Sequence, residues 1–279
     1  MKIIRSISQM QKTAKELKKS KTIAVVPTMG FLHDGHLSLV SLAKKQADIV
    51  VVTIFVNPKQ FGPKEDFTTY PRDEKNDLAK LKQHHVDFVF VPNMKRMYSE
   101  DFQTKIVLSD LTKLLCGQKR PGHFDGVTLV VNKLFNITQA DFAVFGKKDY
   151  QQLLVIEKMV AELNMPIKII SGKIFREKDG LAMSSRNAYL TPRQREMAAS
   201  LYRGLCTVKE KCQKRDLSAS IMKKEFLREI PEDPQVCVDY LEVYDAKNLT
   251  PLKKYKKNRT LVATAVFVGQ TRLIDNLVF

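Results

Sequence analysis

The order of hydrophobic and polar positions divides the chain into two unlike halves. Over residues 4–19, Ile7, Met10, Ala14 and Leu17 recur at spacings of three and four, which predicts an amphipathic helix. Residues 22–26 form a short apolar run ending at Pro27 and read as a strand. A helical stretch at 37–46 leads to a continuous apolar strand at 49–56. Residues 73–85 predict a polar helix with Leu78 and Leu81 inward, 88–91 a third buried strand and 127–137 a helix. Residues 142–145 and 167–170 read as a fourth and fifth strand, with a helix over 151–163 between them. Near-continuous apolar strands separated by helices need cover on both faces. The expected class is α/β, a Rossmann-like doubly wound parallel sheet.

The pattern changes after about residue 175. Thr191-Pro192-Arg193-Gln194 carries a capping box with proline at the first helical position, and predicts a helix running to about residue 211. A further helix is expected near 218–228. Residues 236–243 and 261–268 alternate with period two and read as strands. No Gly/Ser-rich or Pro-rich linker marks the junction. The reading is a larger domain over residues 1–174 and a smaller α+β C-terminal domain over 175–279.

Charge adds a preference for anions. Lys and Arg total 47 against 30 Asp and Glu, a formal balance of +17. Such a field attracts nucleotides, phosphorylated metabolites and nucleic acid alike. The lysines are spread along the chain, no basic-aromatic interleaving occurs and Trp is absent, so specific nucleic-acid binding is not expected. No run of about 18 apolar residues is present, so no membrane span is expected. The N-terminal segment lacks an apolar signal-peptide core. Four scattered cysteines without a CxxC pair point to free thiols, no structural zinc site and a reducing, cytoplasmic setting.

The segment Met29-Gly30-Phe31-Leu32-His33-Asp34-Gly35-His36 directly follows the first buried strand and enters a helix. In an open parallel sheet, ligands bind beyond the carboxyl ends of the strands, and a helix N-terminus offers N–H donors to phosphate. Gly30 and Gly35 permit close backbone approach. His33 and His36, three apart, can face one ligand. A second candidate loop is Gly180-Leu181-Ala182-Met183-Ser184-Ser185-Arg186-Asn187, with two hydroxyls and a guanidinium suited to phosphate oxygens.

The HxGH pattern with a second Ser-rich loop resembles the nucleotidylyltransferase superfamily. Longer strings narrow the resemblance: PTMGFLHDGH, IFVNPKQFGPKEDFTTYPR, RPGHFDGV, FGKKDYQQL, REKDGLAMSSRNAYL and RLIDN occur in this order. Together they resemble the pantothenate synthetase (pantoate–β-alanine ligase) family across residues 23–276. The resemblance implies condensation of pantoate with β-alanine, using ATP and Mg²⁺, through pantoyl-adenylate with release of AMP and pyrophosphate. It implies a homodimer. Two other readings stand beside it: adenylylation of a different carboxylate, and an RNA-binding protein.

Residue by residue, the resemblance implies that Met29, Gly30, Phe31, Leu32, His33, Asp34, Gly35 and His36 hold ATP, and that His33, His36, Lys148, Ser184, Ser185 and Arg186 are catalytic. Gly146, Lys147, Lys148 and Asp149 match an ATP-binding element in which Lys148 reaches phosphate. Asp149 meets Mg²⁺ indirectly, a ribose or an amide. Lys147 stands where the family commonly has Glu. Phe175 matches a backbone contact to adenine. Met183, Ser184, Ser185 and Arg186 match a loop that closes over the triphosphate, with the C-terminal domain as a lid. Gln60 and Gln152 match the glutamines that contact pantoate and β-alanine, and Asn57 and Tyr70 are weaker candidates. Arg120 and His123 are phosphate-binding or structural. No residue is expected to bind a metal directly.

Overall fold

The structure, a computed structural model, describes residues 1–63 and 65–279. Lys64, within one of the quoted strings, lies outside the described residues. The chain divides into two compact units, residues 1–147 with 151–173, and residues 148–150 with 174–279.

The first unit is built on a six-stranded, all-parallel sheet in the order β1-β4-β3-β2-β5-β6. Its strands are β1 (Lys2–Ile4), β2 (Ile23–Thr28), β3 (Ile49–Ile54), β4 (Phe88–Phe90), β5 (Phe142–Gly146) and β6 (Lys168–Gly172). Its helices are α1 (Ile7–Leu17), α2 (Asp34–Ala43), α3 (Glu74–Gln83), the short α4 (Met94–Met97) and α5 (Leu115–Lys119), α6 (His123–Thr138) and α7 (Tyr150–Glu162). Strands β2 and β3 pair from Ile23↔Ile49 to Thr28↔Ile54. One sheet face, with Ala24, Val26, Val50, Val52 and Val144, packs on Leu37, Val40 and Ala43 of α2 and Leu81 of α3. The alternate residues Val25, Val51 and Ala143 are as deeply buried on the other face, where α6 packs on β2 and α1 on α6. Between β2 and β5 the strand order reverses, the switch point of a doubly wound sheet.

Six strands replace the five expected. The extra one is β1, whose Ile4 fits the helical spacing of α1 but pairs with Phe90 of β4. Ser6 accepts the Gln9 N–H and starts the helix at Ile7, so the helix cannot reach back to residue 4. Helix α2 begins at Asp34, three residues before the first periodic leucine, because its first turn is the glycine-histidine segment itself.

The second unit holds an antiparallel sheet, β7 (Val236–Asp245), β8 (Thr260–Val268) and β9 (Thr271–Val278), in that order. Helices α8 (Pro192–Ala198), α9 (Ser200–Lys214) and α10 (Ala219–Leu227) belong to it. Leu205 and Val208 of α9 and Met222 and Phe226 of α10 pack on Leu241, Val243 and Val262 of the sheet. The single helix expected over 191–211 is two. The Ser200 hydroxyl donates to the Met197 carbonyl at 2.6 Å, and the bond from the Arg203 N–H to the Ala199 carbonyl stretches to 3.5 Å. Strand β9 escaped the pattern because Arg272, Asp275 and Asn276 interrupt its apolar alternation, with Asp275 and Asn276 themselves buried.

Candidate active site

In the first unit, β2 ends at Thr28 and the chain reaches α2 through two consecutive left-handed residues, Gly30 (φ +84°) and Phe31 (φ +49°). A Cβ at position 30 would stand 3.0 Å from Asp77 Oδ2, so glycine suits the position on conformation and on space. Asp77, on α3 and buried, accepts the Phe31 N–H at 2.8 Å and the Leu32 N–H at 2.6 Å. One turn on, Lys80 Nζ donates to the Leu32 carbonyl at 2.5 Å. Burial pushes the Asp77 carboxyl above its ordinary value, and the two backbone donors oppose that shift. This clamp is invisible in the sequence, where Asp77 is one polar residue in a polar helix.

His33 is the N-cap of α2 and His36 its third residue, and the His36 ring reaches back to the start of the helix while its own backbone N–H donates to the His33 carbonyl at 2.8 Å. His36 Nδ1 accepts the His33 backbone N–H at 3.4 Å, so the neutral His36 ring carries its proton on Nε2. The two ring centroids are 4.0 Å apart. Both histidines are half-buried, Asp34 is exposed, and Gly35 accepts the Ser38 hydroxyl through its carbonyl. The segment thus joins two imidazoles and a helix N-terminus at the sheet's switch point.

Gln60 lies in a 3₁₀ turn, Pro58–Gln60, that follows β3 and is capped by Asn57. Its Nε2 is 3.4 Å from Met29 Sδ, which places Gln60 beside the glycine-histidine segment. Its Oε1 accepts from Asn57 Nδ2 at 3.0 Å, so the amide is not equally available as donor and acceptor. Gly126 of α6 makes this close approach possible: a Cβ there would press into the Lys59 carbonyl and within 2.6 Å of the Gln60 nitrogen.

Arg120 and His123 brace the same loop. Arg120 forms a two-pronged pair with Glu65, and His123 Nδ1 meets the Gln60 carbonyl at 2.8 Å. Burial alone would raise the Glu65 carboxyl, but the Arg120 hydrogen bonds and charge outweigh it and hold Glu65 below its ordinary range. Tyr70 is buried edge-on to Phe61. The two glutamines after β5 differ. Gln151 is buried, donating to the Leu111 and Leu114 carbonyls and accepting the Cys116 N–H, a structural brace. Gln152 is half-buried.

Strand β5 closes on Gly146, and Lys147–Asp149 form a 3₁₀ turn into α7. Lys147 is exposed. In the second unit, the Lys148 carbonyl accepts Asn276 Nδ2 at 2.8 Å, and Lys148 Nζ lies 3.9 Å from Asp149 Oδ2. Asp275 beside it holds Arg176 by two bonds of 2.6 and 2.9 Å. The RLIDN string therefore anchors both the lysine turn and the next loop.

That loop is a hairpin. The Met183 N–H donates to the Phe175 carbonyl at 3.0 Å, and Arg176 bridges Ala182. Glu177 accepts from Asn187 and Arg195, fixing the hairpin from outside. Ser184 then caps a 3₁₀ turn, Ser185–Tyr189, accepting the Arg186 N–H at 3.3 Å. Phe175 is exposed, Ser185 is buried, and Met183, Ser184 and Arg186 are half-buried. Among the described residues, no three His, Cys, Asp or Glu side chains gather to hold a metal ion.

Known proteins are similar to this chain over its whole length. A family model described as Pantoate-beta-alanine ligase matches residues 2–278. The pantothenate synthetase of Thermosipho africanus is 48% identical over 279 residues, covering all of both chains. The solved pantothenate synthetase of Thermus thermophilus is 40% identical with a TM-score of 0.93, covering 99% of each chain. The pantoate–β-alanine ligase of Francisella tularensis, solved in complex with β,γ-ATP and β-alanine, is 32% identical with a TM-score of 0.82, covering 100% of this chain and 97% of that one. The chain belongs to the pantoate–β-alanine ligase family and is a ligase.

Proposed function

We propose that the enzyme joins pantoate to β-alanine at the expense of ATP, through a pantoyl-adenylate. The observation that carries the reading is the pair of imidazoles, His33 and His36, at the N-terminus of α2 beyond the end of β2, with the Gln60 amide beside Met29. The ligands named for the Francisella tularensis ligase support ATP and β-alanine as substrates.

A pantoate carboxylate is already ionised at neutral pH and needs no base. One of its oxygens attacks the α-phosphorus, the bond to the bridging oxygen breaks, and the electron pair leaves with pyrophosphate. The demand on the protein is in-line placement and donors for the charge on the phosphoryl oxygens. His36, with its proton on Nε2, and His33 supply such donors from the N-terminus of α2, along with the backbone of residues 29–36. Lys148, Ser184, Ser185 and Arg186 supply more. Gly146, Lys147 and Asp149 line the nucleotide, Phe175 meets adenine through backbone, and Met183 leads into the serine loop. Gln60 and Gln152 hold pantoate.

In the second step the β-alanine amine attacks the activated carbonyl, the bond to the AMP oxygen breaks, and the amine gives up a proton. Mg²⁺ carried on ATP would neutralise phosphate charge, and Asp149 is the carboxylate that would meet it indirectly. The same reading makes the enzyme a cytoplasmic homodimer.

Product analysis tests the reaction. Incubation with ATP, Mg²⁺, pantoate and β-alanine should form pantothenate, AMP and pyrophosphate in equal amounts. Pantothenate accompanied by ADP and phosphate would overturn the adenylate route, and no pantothenate at all would overturn the substrate assignment.

A further inference from the structure

Tyr98, just after α4, belongs to none of the motifs above. It is buried, and its hydroxyl lies 2.8 Å from Oδ1 of the buried Asn57. The same Oδ1 accepts the Lys59 backbone N–H at 3.3 Å, while Asn57 Nδ2 donates to the Gly126 carbonyl and to Gln60 Oε1, each at 3.0 Å. A backbone N–H only donates and a backbone carbonyl only accepts. Those two partners identify which end of the Asn57 amide is the oxygen, and the Tyr98 hydroxyl, at 2.8 Å against 3.3 Å for the Lys59 N–H, is the closer donor that holds it there. Tyr98 meets its oxygen and must donate; Gln60 meets its nitrogen and must present Oε1. Gln60 Nε2 is thereby turned the other way, to the Met29 side.

We infer that Tyr98 is a positioning residue for the acid substrate: acting through Asn57, it holds the Gln60 amide with Nε2 toward the ligand, as a donor to a carboxylate oxygen. The inference rests on the reading of Gln60 as a pantoate contact. A released Gln60 would turn its oxygen toward the anion in part of its population and bind it less well. Burial pushes the Tyr98 phenol above its ordinary value, which keeps it a donor at any pH the enzyme meets. The ring is held independently of the hydroxyl. Phe102 packs edge-on at 5.2 Å, and Lys59 and Lys133 lie over the ring with Nζ 5.8 and 5.7 Å from its centroid. Tyr98→Phe therefore removes the relay and leaves the packing.

The test is initial-rate kinetics on Tyr98→Phe, Gln60→Ala and the double variant, with pantoate and ATP varied separately and thermal unfolding followed alongside. Tyr98→Phe should raise the pantoate KM roughly three- to tenfold, the worth of one oriented hydrogen bond. It should leave the ATP KM unchanged and add nothing once Gln60 is replaced by Ala. A wild-type pantoate KM in Tyr98→Phe, or a rise that persists in the Gln60→Ala background, would overturn the relay. An unchanged pantoate KM in Gln60→Ala would instead overturn the reading of Gln60 beneath it. Should Tyr98→Phe fold poorly, Asn57→Asp keeps the acceptor for Tyr98 and Lys59 and removes the Nδ2 donor. It should raise the pantoate KM with Gln60 present and not in the Gln60→Ala background; the same rise in both would overturn the relay.

Discussion

The Asp77 carboxylate accepts the backbone N–H of Leu32 at 2.6 Å across 45 positions of sequence. It accepts Phe31 at 2.8 Å as well, so one side chain of α3 sets the path of the loop that delivers His33 to its helix. Asp77→Asn keeps the shape but offers one oxygen to two donors. It should cost about 1–3 kcal/mol of stability, the penalty of a buried donor left unsatisfied. The ATP-dependent rate should fall as well. Denaturant unfolding and steady-state kinetics measure both; wild-type values in both would contradict the clamp.

Gly126 separates α6 from the backbone that carries Gln60. Gly126→Ala should strain this contact by about 1–3 kcal/mol, the usual cost of overpacking. Because the methyl faces Lys59 and Gln60, the pantoate KM should rise more than the ATP KM. Equal effects on both substrates, or none, would count against Gln60 as the pantoate contact.

Glu65 titrates below its unfolded value because Arg120 outweighs burial. Its ionised form therefore stabilises the fold above the unfolded pKa, and that contribution disappears as pH falls through the lower folded pKa. The stability gap between wild type and Glu65→Gln should be present at neutral pH and close on acidification below the ordinary carboxylate range. Melting temperatures across a pH series give the comparison, and a gap that widens in acid would reverse the assignment.

The thiols should be dispensable. Cys116 and Cys212 are buried, Cys206 is half-buried and Cys237 is exposed. Burial pushes the Cys212 thiol up to about 11, further reducing its reactivity. Mild alkylation near neutral pH should modify Cys237 first and leave turnover intact. Inactivation that ATP or pantoate prevents would place a cysteine in the site.

How much was legible in the sequence depended on how local the cause was. Strand β3 is six buried residues, apolar but for Thr53, and the glycine-histidine segment after β2 states its turn and helix start in adjacent letters. Strand β1 has three residues and one buried side chain, too short for a period to register, and Ile4 also fits the helix. Strand β9 hides because its inward polar residues answer to Arg176 and Lys148, about 100 positions or more away. The site divides in the same way. His33, His36 and Gln60 stand in recognisable strings, whereas Asp77 and Tyr98 act through partners 41 to 46 positions distant. The string FGKKDYQQL contains both glutamines, and only the fold shows Gln151 engaged in bracing the segment around Leu114.

The proposed reaction turns on a pantoyl-adenylate formed with help from His36. Its most direct test is ATP–pyrophosphate exchange with Mg²⁺, with and without pantoate, and without β-alanine. Exchange should require pantoate and should fall roughly 10²–10³-fold in His36→Ala, the scale of one donor acting in the transition state. Pantoate-independent exchange or no exchange at all would rule out a pantoyl-adenylate, and near-wild-type exchange in His36→Ala would rule out the role of His36.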